Sequence, residues 1–353
     1  MIDTSDKYNI LQVWNYGEGH EAELAHLLSD IRRKGQGRDY DCILGLSGGL
    51  DSCYMLHLAV KSWGLRPYVL HIDCGWDLPV AQENMRCVCE KLGIELHVKT
   101  MNWEEMREMQ KAFFRTGLSC LDHPQDHCFI AVIDECARTL GVKYILNGYN
   151  ICTELFSNPR SWFQAAGYAG DGSFVKAVCR KYCDIPIRDY VFTSGLRHKI
   201  WMPYVWGIKT VNPLNLVPLT KRKMTETLTH EYGFTAYGQK HFEDMLTKFL
   251  EGWWHPTRFG YDTREVQTAS LVMTGQMTQE EAEAMMQQPA LTDEEASELF
   301  AQVAQKLEVS EKQLKAWHDM PMSTETFRSQ RGLYQWGIKV FTWLGLEKRI
   351  RSN

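Results

Sequence analysis

Residues 41–46, Asp41-Cys-Ile-Leu-Gly-Leu46, form an apolar run that stops at Ser47-Gly-Gly-Leu-Asp-Ser52, and a helical pattern begins at once. A buried strand running through a glycine turn into a helix is how a parallel βαβ unit opens. The pattern recurs. Residues 68–73, 94–99 and 143–148 read as further strands. Between them lie a helix over 79–93 closed by Gly93, one capped by Asn102 with Glu105 three residues on, and one opened by Pro124 that runs to about Leu140. This alternation predicts an α/β fold, a doubly wound, mostly parallel sheet with helices on both faces.

After about residue 155 the strand signal fades. Thr278-Gln-Glu-Glu281, Thr292-Asp-Glu-Glu295 and Ser310-Glu-Lys-Gln313 have the form of capping boxes and predict three short helices. The expected organisation is a polar N-terminal extension over 1–40 and an α/β domain over 41–155. A helical region over 156–285 carries the substrate and pyrophosphate site. A C-terminal helical region follows over 286–353. The tail, 327–353, sets Arg328, Arg331, Lys339, Lys348, Arg349 and Arg351 against a single acid, Glu347, with aromatics at helical spacing. Two readings stand for it: packing on protein, or peripheral contact with an anionic membrane surface.

The formal net charge of -5 argues against a general nucleic-acid-binding role. Eleven cysteines, an odd count in a long chain without a signal-peptide pattern, fit reduced thiols and a cytoplasmic location. No stretch reaches the ~18 uninterrupted apolar residues of a membrane span. The segment Cys120-Leu-Asp-His-Pro-Gln-Asp-His-Cys128 has the residue types of a metal site, but core thiols at a helix entry are the commoner outcome.

In an open parallel sheet, ligands sit beyond the carboxyl ends of the strands. Gly48 and Gly49 let backbone approach an anion. The turn's N–H groups and the helix N-terminus offer partial positive charge, and Ser47 and Ser52 add hydroxyls. The turn is thus a cradle for phosphate. It is neither a Walker loop nor a dinucleotide turn. Asp51 would repel bare phosphate, which makes sense if Mg²⁺ lies between acid and phosphate.

Ser-Gly-Gly-Leu-Asp-Ser after a first strand resembles the loop of the PP-loop ATP pyrophosphatases. That resemblance implies ATP cleavage between the α- and β-phosphates, an ATP site at Leu46, Ser47, Gly48, Gly49, Leu50, Asp51 and Ser52, and adenosine near His71 and Asp73. The block over 237–282, with Lys240-His241, Glu243, Thr247-Lys248-Phe249, Phe259-Gly260, Asp262, Arg264 and Gly275-Gln276, resembles the N-acetyl sugar amidotransferases of surface-polysaccharide biosynthesis. Departures are the absence of cysteine from residues 1–40, Gly148-Tyr149-Asn150 where many members carry Gly-Glu-Asn, Arg258 for a lysine, and Thr263 for another.

This second resemblance implies conversion of an acetamido group on a nucleotide-linked or related sugar to an acetamidino group, with ATP and Mg²⁺ as cofactors. AMP is transferred to the amide oxygen and ammonia displaces it. Asp51, Lys240, Lys248 and Arg258 are the candidate catalytic groups. Gly148, Asn150, Glu154, His241, Asp262 and Arg264 are the candidates for substrate. Trp253 and Trp254 fit core packing better than sugar stacking. The chain opens Met1-Ile2 and has no glutaminase elbow. Nitrogen is therefore expected from free ammonia, or from a separate glutaminase subunit with a cyclase-like ammonia-channel subunit. Two alternatives remain open: a tRNA-modifying or sulfur-transfer enzyme of the same superfamily, and a non-catalytic nucleotide-binding scaffold.

Overall fold

The computed structural model describes residues 19–155, 162, 169–330, 332 and 336. Five parallel strands form one sheet: β1 (Cys42–Gly45), β2 (Pro67–Asp73), β3 (Leu96–Thr100), β4 (Tyr144–Leu146) and β5 (Lys209–Val211). Their spatial order is β3-β2-β1-β4-β5. The chain leaves β1 toward β2 on one side and returns to β4 on the other. The carboxyl ends of β1 and β4 therefore border the crevice where such sheets bind ligands.

Both faces of the sheet are covered because its inner strands are apolar on both sides. Ile43, Leu70, Ile72 and Ile145 face a core with Phe113, Phe114, Phe174 and Trp254. Cys42, Leu44, Val69 and Leu146 face the opposite core with Ile31, Met55, Val88 and Leu228. This is the period of two expected of a strand. Helices α1 (Glu21–Gly35), α2 (Leu50–His57) and α3 (Pro79–Leu92) contribute to the second core. Helices α4 (Trp103–Thr116) and α5 (His123–Leu140) contribute to the first.

The structure departs from the sequence expectation in four places. Helix α1 lies inside the supposed polar extension, where Leu28 and Ile31 supply an apolar stripe too short to stand out in a charged segment. The helical pattern that begins after the glycine turn is α-helical to His57 and continues as a π-helical turn, Leu58–Ser62. Strand β5 falls where no strand was expected. It has three residues, with Lys209 and Thr210 exposed, so it offers no periodicity to read. Of the three capping boxes, those at Thr278 and Thr292 are reciprocal, while Ser310 caps its helix from one side only.

Beyond the sheet the chain is helical: α6 (Ile151–Glu154), α7 (Gly172–Tyr182), α8 (Lys221–Tyr232) and α9 (Met245–Phe249), the last running through a π-helical turn, Leu250–Trp254, into α10 (His255–Phe259). Helices α11 (Arg264–Met273), α12 (Gln279–Gln287), α13 (Asp293–Lys306) and α14 (Glu311–Asp319) follow. Among the described residues, no helix is long and apolar enough to cross a membrane. Of the basic tail, Phe327 packs edge-on against Phe174 with centroids 5.8 Å apart. Most of 327–353, and with it the membrane expectation, lies outside the described residues.

Candidate active site

The turn between β1 and α2 is held by its own serines. The Ser47 N–H donates to Ser52 Oγ at 3.2 Å, the Gly49 N–H donates to Ser47 Oγ at 3.2 Å, and Ser52 Oγ donates to the Gly49 carbonyl at 3.1 Å. Gly48 has φ +77, and a Cβ there would stand 2.3 Å from the Ala81 carbonyl oxygen, so α3 presses directly on the turn. Asn84 of α3, 1% exposed, donates to the Gly48 carbonyl at 3.3 Å and to the Thr235 carbonyl at 3.0 Å. The Leu50 N–H donates to the Tyr237 hydroxyl at 3.0 Å. The cradle is thus fastened from α3 and from the segment after α8.

A cavity of about 470 Å³ opens above the turn, at the carboxyl ends of β1 and β4. Asp51 faces it, and both its carboxylate oxygens are engaged: Lys240 Nζ donates to Oδ2 at 2.6 Å and Asn150 Nδ2 to Oδ1 at 2.9 Å. Lys240 also donates to Thr153 Oγ1 at 2.9 Å and pairs with Glu154 Oε1 at 2.8 Å. His241 continues the chain of charge, with Nε2 3.7 Å from Glu154 Oε1 and Nδ1 3.4 Å from Glu251 Oε1. Its φ of +67 is rare for a residue with a Cβ and turns the ring between the two acids.

These contacts set the charge states. Burial pulls the Lys240 ammonium down, but Asp51 and Glu154 outweigh it and raise its pKa. Burial raises the Glu154 carboxyl, yet Lys240 and His241 bring it to about 2. Burial lowers the His241 imidazole, and Glu251 and Glu154 lift it well above its ordinary value. Lys221, at the start of α8, lines the same cavity, and burial lowers its pKa.

The structure brings Ser47, Gly49, Leu50, Asp51, Ser52, Gly148, Glu154, Lys240 and His241 to one cavity, with Asn150 tied to Asp51 behind it. Leu46 and Gly48 brace the turn: Leu46 is buried, its N–H donating to the Leu70 carbonyl at 2.9 Å, and Gly48 meets α3.

Besides Leu46, Gly48 and Asn150, six expected residues do not line the cavity. His71 lies beneath the turn, its ring 2.9 Å from the Leu46 carbonyl and 2.7 Å from Asp77 Oδ2. Asp73 accepts from the Gly75 N–H at 2.8 Å and so caps the turn after β2. Lys248 sits over the Phe242 ring at 5.8 Å. Arg258 donates to the carbonyls of His318 and Met320, so it anchors the end of α14. Arg264, 6% exposed, forks onto Asp262 and donates to the Gln288 carbonyl at 2.9 Å at the end of α12. Trp253 and Trp254 pack in the aromatic core, as expected.

Polar cavity residues not singled out from the sequence include Tyr237, Lys221, Thr153 and Asn147. Glu243 was seen only as part of the motif. Nothing in their local sequence distinguishes them, because loops distant in sequence bring them to the turn. In the cysteine–histidine segment, Cys120 and Cys128 are fully buried and His127 bonds the Ala169 carbonyl at 2.6 Å. The side chains of Asp122, His123 and Asp126 gather instead.

Strand order, glycine turn and position of the cavity define a protein of the PP-loop fold class. Residues 41–148 match the phosphoadenosine phosphosulfate reductase domain. Residues 243–341 match the family described as LPS biosynthesis protein WbpG-like, C-terminal domain. The chain thus combines a PP-loop domain over residues 41–148 with a WbpG-like segment over residues 243–341. It is 26% identical over 233 residues to a tRNA-specific 2-thiouridylase, MnmA, of Pseudoalteromonas translucida, covering 59% of this chain and 56% of that protein. It is 25% identical over 137 residues to the uncharacterized protein MJ1599 of Methanocaldococcus jannaschii, covering 38% and 46%. The chain spans about half the length of these curated relatives. An NH3-dependent NAD synthetase from Campylobacter jejuni aligns over 87% of this chain and 99% of its own, with 13% identity and a TM-score of 0.35.

Proposed function

We propose that the protein is an ATP-dependent amidotransferase that converts the acetamido group of an N-acetyl sugar to an acetamidino group in surface-polysaccharide biosynthesis. The observation that carries this reading is the unbroken chain Asp51–Lys240–Glu154–His241–Glu251, which runs from the phosphate cradle into the cavity. It joins the turn to the segment leading into the WbpG-like domain.

An amide carbonyl is a poor electrophile. Its oxygen attacks the α-phosphate of ATP, the α–β bridge breaks, and pyrophosphate leaves. The resulting O-adenylyl imidate has AMP as a leaving group. Ammonia adds to its carbon, AMP departs, and an amidine remains. The turn's N–H groups and Ser47 and Ser52 hold phosphate oxygens. Lys221 and Lys240 face the charge that develops on the leaving pyrophosphate, the kind of preorganised stabilisation that dominates such transfers. His241, held protonated between Glu154 and Glu251, faces the negative charge that develops on the departing AMP.

Magnesium fits the hard carboxylate oxygens of Asp51 and Glu243 at the turn. When bound, it would neutralise phosphate charge. Nitrogen arrives as free ammonia or through a separate glutaminase with a cyclase-like channel subunit.

The test is incubation of the purified protein with ATP, Mg²⁺, ammonium and a panel of UDP-linked N-acetyl sugars, followed by mass spectrometry. The expected product is lighter than its substrate by about one mass unit, oxygen exchanged for NH, with AMP in equal amount. Modification of tRNA in a parallel arm, with every sugar left unchanged, would contradict the reading.

A further inference from the structure

Asp122 occupies the N-cap of α5 but does not cap it: its carboxylate accepts no hydrogen bond from the first N–H groups of the helix. It gathers instead with His123 and with Asp126, one turn on. One ligand atom from each of the three lies within 4.8 Å of the others, and His123 Nδ1 is 3.6 Å from Asp122 Oδ1. Among the described residues, no lysine or arginine lies within ion-pair distance of either acid. None of the three side chains lines the cavity above the glycine turn. His255, the first residue of α10, is a separate anomaly beside them. It is 3% exposed, and neither ring nitrogen has a hydrogen-bond partner. The Ser119 carbonyl is near but lacks hydrogen-bond geometry. Of the charged groups around the ring, Asp122 acts on it most strongly, ahead of Glu251. A buried polar group left without a partner costs about 1–3 kcal/mol, a loss that a ligand seated at Asp122 would remove.

Acids near a helix N-terminus are favourable in themselves, but an aspartate there ordinarily gains a cap bond, which Asp122 forgoes. Two carboxylates without a lysine or arginine call for a cation. An imidazole among them selects a transition metal over magnesium or calcium, which take oxygen ligands. Zinc binds such ligands at about 2.0–2.2 Å, which sets them roughly 3.3 Å apart in a tetrahedron, so modest side-chain rotation closes the set. Three protein ligands leave one position for water. We propose that Asp122, His123 and Asp126 bind a zinc ion, and that the water at its fourth position hydrogen-bonds to His255. Residues 122–126 belong to the segment that matches the phosphoadenosine phosphosulfate reductase domain, and His255 to the WbpG-like segment. The ion and its water therefore join the two. The zinc site does not depend on the reading of the glycine turn as a nucleotide site.

The probe is Co²⁺, which enters zinc sites and reports tetrahedral coordination by intense visible absorption. The full chain, stripped of metal with a chelator, is titrated with Co²⁺ in excess Mg²⁺, which keeps the carboxylates of the glycine turn occupied. One equivalent should bind with the tetrahedral spectrum and without a thiolate charge-transfer band, and Zn²⁺ should displace it. Asp122→Asn and Asp126→Asn, each checked for a native thermal transition, should lower the affinity by more than the ~10–100-fold that loss of an outer-shell partner brings. His255→Phe should lower it about tenfold. Asp126→Cys should add a thiolate-to-cobalt charge-transfer band in the near ultraviolet, which only a coordinating residue produces, so it decides the matter even where an Asn variant unfolds. No stoichiometric uptake by the full chain would overturn the site. So would a thiolate band in the full chain, an unchanged affinity in both Asn variants, or cobalt bound by Asp126→Cys without the new band. An unchanged affinity in His255→Phe would overturn the water bridge.

Discussion

Lys240 Nζ lies 2.6 Å from Asp51 Oδ2, joining the glycine turn to a residue 189 positions away in the chain. Both side chains are largely shielded, with relative exposures of 15% and 17%. Removing one partner of a shielded pair leaves the other charge unmatched, which costs about 3–5 kcal/mol. Lys240→Met should therefore lower both stability and turnover, the latter by about 10²–10³-fold or more. Asp51→Ala should abolish product formation, and the double variant should be less destabilised than the sum of the single ones. Urea unfolding and product assays on all three check this. Strict additivity would show that the pair is not coupled.

Gly48 and Ala81 make a different point about the same turn. Gly48→Ala would combine a positive φ with a Cβ 2.3 Å from a backbone oxygen that belongs to a helix and does not yield easily. The expected loss is about 2 kcal/mol or more, seen as a lower unfolding midpoint, together with loss of nucleotide binding. A variant with an unchanged midpoint would mean that α3 does not press on the turn.

Arg258 is one of the catalytic groups expected from the sequence, and its position argues for another role. Its guanidinium donates to the carbonyls of His318 and Met320, outside the cavity. Arg258→Ala should leave kcat/KM within about twofold while destabilising the fold by about 1.5–3 kcal/mol, the usual range for hydrogen bonds from a charged group. A large fall in kcat with stability retained would return Arg258 to the active site.

His241 sets a pH dependence with a definite sign. Its pKa in the folded protein stands well above the ordinary value, because Glu251 and Glu154 outweigh its burial. Its contribution to stability is full below the unfolded value of about 6.5 and is lost as pH rises through the folded value. The unfolding midpoints of the wild type and His241→Gln should therefore differ most at pH 6 and draw together as the pH is raised. Glu154 acts at the other end: with a folded pKa of about 2, its contribution is full above about 4.3 and fades toward pH 2. A midpoint difference between wild type and His241→Gln that stays constant from pH 6 to 9 would contradict the clamped imidazolium.

Much of the fold was legible in the sequence, for physical reasons. Residues such as Ile43 and Leu44 must be apolar on both sides because both faces of the sheet are covered. Asn102, Thr278 and Thr292 announce helix starts by satisfying orphan N–H groups locally. Strand β5 was hidden because three residues at a sheet edge carry no pattern. In the site, the turn was legible because its chemistry is local. Lys240 and His241 were reached only through the second motif. That motif also carried Arg258 and Arg264, and a sequence does not distinguish a cation facing a ligand from one facing buried carbonyls. Tyr237 and Lys221 act through tertiary placement alone.

The source of nitrogen is open to a simple comparison. The sequence has no glutaminase elbow. With the purified chain alone, ammonium should support product formation and glutamine should not. Adding a glutaminase subunit with its channel partner should confer use of glutamine. Glutamine-dependent turnover by the chain alone, in a preparation free of any second protein, would contradict this.

The central claim is that the acetamido oxygen of the sugar attacks the α-phosphate of ATP. An N-acetyl sugar labelled with oxygen-18 in that carbonyl, incubated with ATP, Mg²⁺ and ammonium, tests it directly by mass spectrometry of the nucleotide and phosphate products. The account predicts one heavy oxygen in AMP for each acetamidino sugar formed, and none in pyrophosphate. Heavy oxygen in pyrophosphate or inorganic phosphate, or an amidino product formed with unlabelled AMP, would contradict it.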